Sequence, residues 1–457
     1  MRNDREVAKP DSGARLERLP MSRYQYLLFA VVATAFLFDT ADTAALAYML
    51  GTIKADLGLS VAQAGVLASA SLLGMFFGAG TAGVLADRFG RKPVFQFSML
   101  LWGLGSLLCG LSTTYTGLLK ARLLLGVGMG MELPVALALI AEYLPTHLRG
   151  RFTAILEGFL PVGFIGVGIL VYFLMPLVGW RGVFVVLAVP ALFLFVVRRM
   201  VPESPRWLEA AGRLDEAEDV MALIESKVMR AAGLLRLPEP VIGIVTLETD
   251  TRHRWLSAIG DLWHPDYRRR TLMLWIVWFL TLLGFYGLTS WLASLLQQAG
   301  YAATQSIFYT MLISCAGIPG FMAAAYALER WGRKPTAITC LLGSAVAAFV
   351  YGQCISHRTD LPLLIAAGLA MQFFVFGMWS VIYAYTPELY PTRSRGTGSS
   401  MASAIGRIGS IIGPSGIALM LPLTGPSGAF AVGAGCFAVA AATIALLGPE
   451  TRGVALN

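Results

Sequence analysis

Long apolar runs alternate with short polar breaks along this chain, and the runs are long enough to cross a membrane. A membrane helix needs ~20 mostly apolar residues at 1.5 Å rise each. Twelve segments meet that need: 24–51, 61–86, 93–112, 116–141, 152–177 and 181–200, then 270–298, 304–328, 335–355, 361–386, 396–422 and 427–447. They are numbered here as spans 1 to 12. The hydrophilic stretch 201–269 divides them six and six. The predicted fold is therefore an all-α membrane protein. It has an N-terminal arm (1–23), a first six-helix bundle (24–200), a linker (201–269), a second six-helix bundle (270–447) and a tail (448–457). Within the linker, Ser204 followed by Pro205 reads as a helix N-cap with proline in the first turn. After Gly212, Leu214, Ala217, Met221, Ile224 and Val228 recur at three- and four-residue steps. That spacing predicts an amphipathic helix packed under the bundle.

Composition supports the membrane reading: 56% of the 457 residues are hydrophobic and 14% charged, where a soluble domain carries about 25% charged residues. The net charge of +8 has two readings, a basic face for nucleic acid or a one-sided excess in membrane loops. Placement decides between them. With the N-terminus inside, 29 Lys and Arg fall on its side of the membrane and four, Lys54, Lys120, Arg181 and Arg358, on the other. This bias predicts cytoplasmic termini and linker, supports an even number of spans and excludes a nucleic-acid partner. The first apolar run is too long for a cleavable signal, and the segment before it is polar.

Several function classes lose ground. The five cysteines (109, 315, 340, 354 and 436) are odd in number and lack a CxxC, so neither a disulfide framework nor a zinc site is expected. The four histidines, His147, His253, His264 and His357, fall in loops or at span ends, and no catalytic constellation accompanies them. An enzyme, a metal or a cofactor is not expected. No GxxxxGK[ST] loop is present to drive a primary pump. The 69-residue linker is too small for a signalling domain.

Three pairs of segments recur at nearly constant offset. Asp87-Arg-Phe-Gly-Arg-Lys-Pro93 matches Glu329-Arg-Trp-Gly-Arg-Lys-Pro335, 242 residues later; Glu142 with Arg149-Gly150 matches Glu388 with Arg395-Gly396, 246 later; Pro202-Glu-Ser204 matches Pro449-Glu-Thr451, 247 later. Each pair follows the second, fourth or sixth span of its half. Two related halves describe a transporter with its site at their interface. The stretch Gly83-Val-Leu-Ala-Asp87-Arg-Phe-Gly-Arg91-Lys92 resembles the signature loop of the major facilitator superfamily, and the resemblance covers nearly the whole chain. It implies a gating charge network on the terminal side of Asp87, Arg88, Arg91, Glu142, Arg149, Glu329, Arg333, Glu388 and Arg395. The Pro202 and Pro449 motifs resemble the sugar-porter type of branch, which includes sugar, organic-ion and vitamin carriers.

Ionisable residues inside spans are costly and so are functional candidates. Six qualify: Asp39, Asp42, Arg122, Glu132, Glu157 and Arg407. Asp39 and Asp42 share a helix face. Asp42 lies ~14 Å and Arg122 ~9 Å from the same end of the bundle, depths compatible with pairing. Two acids beside one arginine leave a carboxylate without a full counter-ion, which suits a proton carrier; the alternative is a static pair locking spans 1 and 4. Glu132 and Glu157 are either packed acids or members of a relay. Arg407, near mid-membrane in span 11, stays charged when buried and lacks a counter-ion in its own half. A substrate carboxylate and an acid of the first half are both natural partners. Tyr286, Trp291 and Gln297 of span 7 and Trp379 and Tyr383 of span 10 supply candidate pocket walls.

Phe38-Asp39-Thr-Ala-Asp42, and Arg122-Leu-Leu-Leu-Gly-Val-Gly-Met-Gly-Met-Glu132-Leu-Pro134 continuing to Glu157, resemble bacterial niacin and related metabolite:proton symporters. Arg407-Ile-Gly with Pro414 resembles span 11 of organic-anion carriers. The resemblance implies a monomeric, proton-coupled importer of nicotinate or another small carboxylate in a bacterial inner membrane. Sugar or polyol symport and organic-ion or drug antiport are the alternatives. The chain departs from sugar porters in carrying Glu157 where they have glutamine and in lacking their early Gln-Gln pair in span 7, since Gln297-Gln298 come at its end. It departs from antiporters in offering only Leu160-Pro161-Val-Gly163 near their Gly-Pro signature. It departs from niacin carriers in the small residues Thr40, Ala41, Thr43 and Ala44 around its acids.

Overall fold

A lipid-facing backbone must satisfy its own polar groups, so a spanning chain without a closed barrel must be helical. A computed structural model describes residues 12–239, 260, 262–391 and 394–453, and among these there is no strand. Parts of the predicted arm (1–11), linker (240–259 and 261) and tail (454–457) lie outside the described residues, as do His253 and positions 392–393.

The first half comprises α1 (Ser12–Glu17), α2 (Arg23–Asp56), α3 (Val61–Phe89), α4 (Arg91–Leu111), α5 (Tyr115–Tyr143), α6 (Thr146–Glu157), α7 (Phe159–Ala188) and α8 (Leu194–Met200), the last two joined by a 3-10 turn, Val189–Phe193. The linker holds α9 (Pro205–Ala210) and α10 (Leu214–Ala232). The second half comprises α11 (Arg268–Thr289), α12 (Leu292–Gln298), α13 (Ala303–Ser314), α14 (Gly317–Trp331), α15 (Arg333–Ser356), α16 (Leu361–Glu388) and α17 (Arg395–Leu447).

Among the described residues, ten continuous helical stretches are long and apolar enough to span a bilayer, and two of them, Leu148–Met200 and Arg395–Leu447, are 53 residues long. At 1.5 Å per residue such a stretch would reach ~80 Å, against a hydrocarbon core of ~30 Å. Each is sharply bent at a single glycine with positive φ, Gly179 (66°) and Gly425 (67°). Both therefore fold back as two spans, and the spans among the described residues number twelve, in two six-helix bundles. The sequence suggests loops at these corners; a left-handed glycine conformation, costless without a Cβ, makes the turn instead. Breaks that the apolar pattern does not show interrupt spans 5, 7 and 8, at Gly158, Ser290–Trp291 and Cys315–Ala316. Apolarity alone carries no signal for a break inside a buried run.

Local chemistry fixes the helix starts. Ser22 with Gln25 and Ser60 with Gln63 form capping boxes, and Thr114 accepts the Gly117 N–H; each satisfies otherwise orphaned amides. The linker helix α10 buries Ala217, Met221, Ile224 and Val228 as its spacing predicts, while Leu214, the first residue of that stripe, is exposed. Arg15 of α1 bonds Glu218 and Glu225 of α10, and Arg18 shares Glu225. The arm is thereby tied to the linker.

Spans 2 and 4 meet backbone to backbone through glycines. A Cβ on Gly74 would lie 2.2 Å from the Leu123 carbonyl oxygen, and one on Gly126 2.0 Å from that of Ser71. Small residues allow this approach, which is what holds helices together where lipid removes the hydrophobic drive. Gly126→Val is expected to force the pair apart and to lower the unfolding temperature of purified protein, at a cost of about 1–3 kcal/mol or more. An unchanged thermal transition would mean that the contact contributes little.

Candidate functional site

The two bundles meet along a seam that is closed on the face away from the termini. There Ser69 of span 2 bonds the Ser415 hydroxyl and the Ile411 carbonyl of span 11, both at 2.7 Å. Tyr48 of span 1 donates to the Phe164 carbonyl and reaches Ser314 of span 8. Gln297 presses on Gly51 of span 1, where a Cβ would lie 2.2 Å from its Oε1. Gln297 also lines a 370 Å³ cavity with Lys54, Ser294 and Gln298.

The buried charges lie deeper along the seam. Asp39, Asp42, Arg122, Glu132 and Glu157 are all 5% exposed or less. Asp42 Oδ1 lies 3.8 Å from Arg122 Nη1, an ion pair too long to be a hydrogen bond. Arg122 donates instead to Ser71 Oγ at 2.8 Å, and its guanidinium sits over the Phe184 ring. Arg122 and Tyr286, with Thr43, Ser71 and Ser290, line a 20 Å³ cavity, room for about one water. Glu132 accepts the Trp102 indole N–H at 2.7 Å.

Arg407 is half-buried and makes no ion pair among the described residues. It is nonetheless in electrostatic reach of Asp39 and Glu157 across the seam, and of Tyr286 and Tyr383 in its own bundle. Behind these stands an aromatic wall. Phe285 packs on Tyr286 (5.0 Å between centroids) and on Trp379 (5.2 Å), Trp379 on Tyr383 (5.6 Å), and Phe164 of the first bundle on Phe376 (5.7 Å). The Trp379 indole nitrogen is buried without a hydrogen-bond partner among the described residues. Such a group, costly when unpaired, is free to bond a guest. Trp291 is otherwise engaged, since its N–H donates to the Pro414 carbonyl at 3.0 Å. The structure thus gathers Asp39, Glu157, Arg407, Tyr286, Trp379 and Tyr383 together and sets Trp291 and Gln297 apart. Trp102, Phe285 and Phe376 belong to the surroundings of the charges but carry no signal in the sequence, because an aromatic in an apolar run reads first as packing.

On the terminal face the three repeated motifs of each half converge on one point. Gly90 and Gly332, both at φ 101°, end spans 2 and 8. The amides that follow donate to the acid of the third motif: Arg91 and Lys92 to Glu203, Arg333 and Lys334 to Glu450. Burial opposes ionisation of Glu450, but the amides of Arg452, Arg333, Lys334 and Thr451 outweigh it and hold its carboxyl below the ordinary range. Arg91 pairs with Glu142 at 3.3 Å and Asp87 at 3.1 Å; Arg333 pairs with Glu388 at 3.0 Å and Glu329 at 3.7 Å. Tyr143 and Tyr385 donate to the Pro202 and Pro449 carbonyls. Arg149 instead bonds the Leu144 carbonyl and Glu17 of the arm, and Arg88 lies over Phe89. Arg395 opens α17, its Nε and Nη2 buried without a hydrogen-bond partner among the described residues.

Twelve spans in two duplicated bundles, with charges at the seam and matched networks at one face, define a secondary transporter fold. The chain belongs to the sugar (and other) transporter family, whose model matches residues 26–457. It is 37% identical over 448 residues to a niacin transporter, NiaP, of Acinetobacter baylyi, covering 98% of this chain and 99% of that one. It is 30% identical to a 4-hydroxybenzoate transporter, PcaK, of the same organism, covering 88% and 86%. A partially occluded inward-open structure of the xylose transporter XylE from E. coli superposes with a TM-score of 0.74 at 19% identity, over 95% of this chain and all of that one.

Proposed function

We propose that the protein is a proton-coupled importer of a small organic carboxylate, a nicotinate-like or aromatic acid, working by alternating access as a monomer in a bacterial inner membrane. The observation that carries the reading is Arg407: a half-buried cation of the second bundle without an ion pair among the described residues, in electrostatic reach of two acids of the first. A carboxylate guest would serve as its bidentate counter-ion. Tyr286, Trp379 and Tyr383 would clasp an aromatic ring, with the free Trp379 N–H as a donor. The relatives named for niacin and 4-hydroxybenzoate agree with that chemistry.

Asp39, Asp42, Arg122, Glu132 and Glu157 are the proton-handling groups of this reading. The networks around Arg91 and Arg333 are its gating charges, which stabilise one arrangement of the halves. The excess of Lys and Arg on the terminal face supports cytoplasmic termini. The closed contacts at Ser69, Tyr48 and Gln297 then form an external gate that is shut, with Trp291 bracing span 7 below it. The test is a thermal-shift panel on purified protein. Nicotinate and 4-hydroxybenzoate are expected to raise the unfolding temperature at concentrations where nicotinamide and xylose do not. Stabilisation by xylose alone would favour the sugar alternative.

A further inference from the structure

The 370 Å³ cavity beside Gln297 lies at the outer end of the seam, beyond the closed contacts of Tyr48 and Ser69. Its volume is within the range of about 300–1,000 Å³ usual for small-molecule sites. Helices α2 and α12 line it from opposite bundles with one stripe each. Gly51, Lys54 and Ala55 are three and four residues apart on α2, and so are Ser294, Gln297 and Gln298 on α12. Residues so spaced share a helix face, so the two stripes look at each other across the cavity. None of the described residues lining it is acidic. Lys54 is half-buried and makes no ion pair among the described residues. The neighbouring acid, Asp56, is taken by Arg181 at 2.8 Å and by the Trp180 N–H at 3.1 Å. Ser294 is 1% exposed, and its hydroxyl has no hydrogen-bond partner among the described residues. Gln297 Nε2 is buried and likewise without a partner there. The Gln297 carboxamide lies flat on Gly51, where a Cβ would meet its Nε2 at 3.1 Å.

A cation without an acid and two donors without an acceptor, set around one cavity, fit a guest that brings negative charge and acceptor oxygens. An ammonium serves as a point charge, and a hydroxyl and an amide N–H donate to the remaining lone pairs. We propose that this cavity is an outer receiving site for the carboxylate, in which Lys54 holds the anion and Ser294 and Gln297 donate to it. The inference rests on the carboxylate-importer reading and adds to it a second place for the anion, ahead of the gate. A positive group at the mouth of a cleft also raises the rate at which anions arrive. Gln297 links the site to the gate. To bond the guest its amide turns away from Gly51 into the cavity, and that turn removes one of the contacts closing the seam. The contacts of Tyr48 and Ser69 remain below, so the anion waits outside until they part. A neutral amide of the same shape lacks the charge that Lys54 answers and is not retained.

The test is protection of a thiol at the rim. Ala55 is exposed and lines the cavity beside Lys54. Purified full-length Ala55→Cys protein is treated with a maleimide, and labelling at position 55 is read by mass spectrometry of its peptides, which separates it from the five native cysteines. Nicotinate or 4-hydroxybenzoate is expected to slow labelling relative to the ligand-free rate, and nicotinamide is not. Adding Lys54→Gln is expected to raise the half-protecting concentration about 3- to 10-fold, and Lys54→Arg to restore protection. Gln297→Ala is expected to weaken protection as well, whereas Arg407→Ala is expected to leave it intact. Protection unchanged by Lys54→Gln, or equal for nicotinate and nicotinamide, would overturn the receiving site. Protection lost with Arg407→Ala would overturn it too, by assigning the effect to the inner site. Unchanged protection in Gln297→Ala would overturn the link to the gate. Absence of protection by an acid that still raises the unfolding temperature would sink the receiving site and spare the importer reading. Lys54-dependent protection in a protein that takes up neither acid would sink the importer reading and spare the site.

Discussion

Replacing Arg407 by alanine is expected to weaken carboxylate binding about 10- to 100-fold while leaving a neutral amide analogue within a few-fold. A charge-assisted bond contributes about 1.5–3 kcal/mol, and an arginine can make two such bonds to one carboxylate. An amide gains only an ordinary hydrogen bond at the same position. Titrations of wild type and Arg407→Ala with nicotinate and nicotinamide give the comparison directly. The difference between the two ligands is the informative quantity, because a merely structural arginine would cost both equally. Arg407→Lys is expected to fall between, since a point charge replaces the planar fork. Equal losses for acid and amide would mean that Arg407 only answers Asp39 and Glu157 across the seam.

The second large effect is on the fold. Asp42→Asn leaves Arg122 buried at 1% exposure with its carboxylate gone. Breaking one side of a buried ion pair costs about 3–5 kcal/mol, whereas removing both charges together is often neutral. Asp42→Asn is therefore expected to lower the unfolding temperature clearly. The double replacement Asp42→Leu with Arg122→Leu is expected to recover most of it without recovering transport. The Ser71 bond and the Phe184 ring soften the loss, because they support Arg122 independently of the acid. A double variant no more stable than the single one would show that the pair contributes little beyond its packing.

The architecture could be read from the chain because lipid allows few solutions: an apolar run of sufficient length must be a helix. The six-plus-six division was legible for this reason, the duplication from its repeated loop motifs, and the amphipathic stripe Ala217, Met221, Ile224 and Val228 from its helical spacing. The corners at Gly179 and Gly425 were not, because one residue in a left-handed conformation replaces a loop and leaves apolarity unbroken. The site was legible where charge marks it. Asp42 and Arg122 announce themselves as costly residues at matching depth, and Arg407 as a cation without an acid in its own half. The repeated motifs showed that Glu203 and Glu450 were special without showing what they do, since their partners are backbone amides that any sequence supplies. Trp102 was invisible because its tie to the buried charges is a single N–H aimed at Glu132 from another helix. Trp291 looked equivalent to Trp379 in sequence; only packing separates one engaged by the Pro414 carbonyl from one left without a hydrogen-bond partner among the described residues.

Proton-coupled carboxylate import is tested most directly by uptake into proteoliposomes holding the purified protein. Labelled nicotinate and 4-hydroxybenzoate would be followed with an inward proton gradient, without one, and with a protonophore. The account predicts that at least one of these acids accumulates above its external concentration only when the gradient is present, and that a protonophore collapses the accumulation. Uptake of both acids that merely equilibrates, at the same rate with and without the gradient, would contradict it.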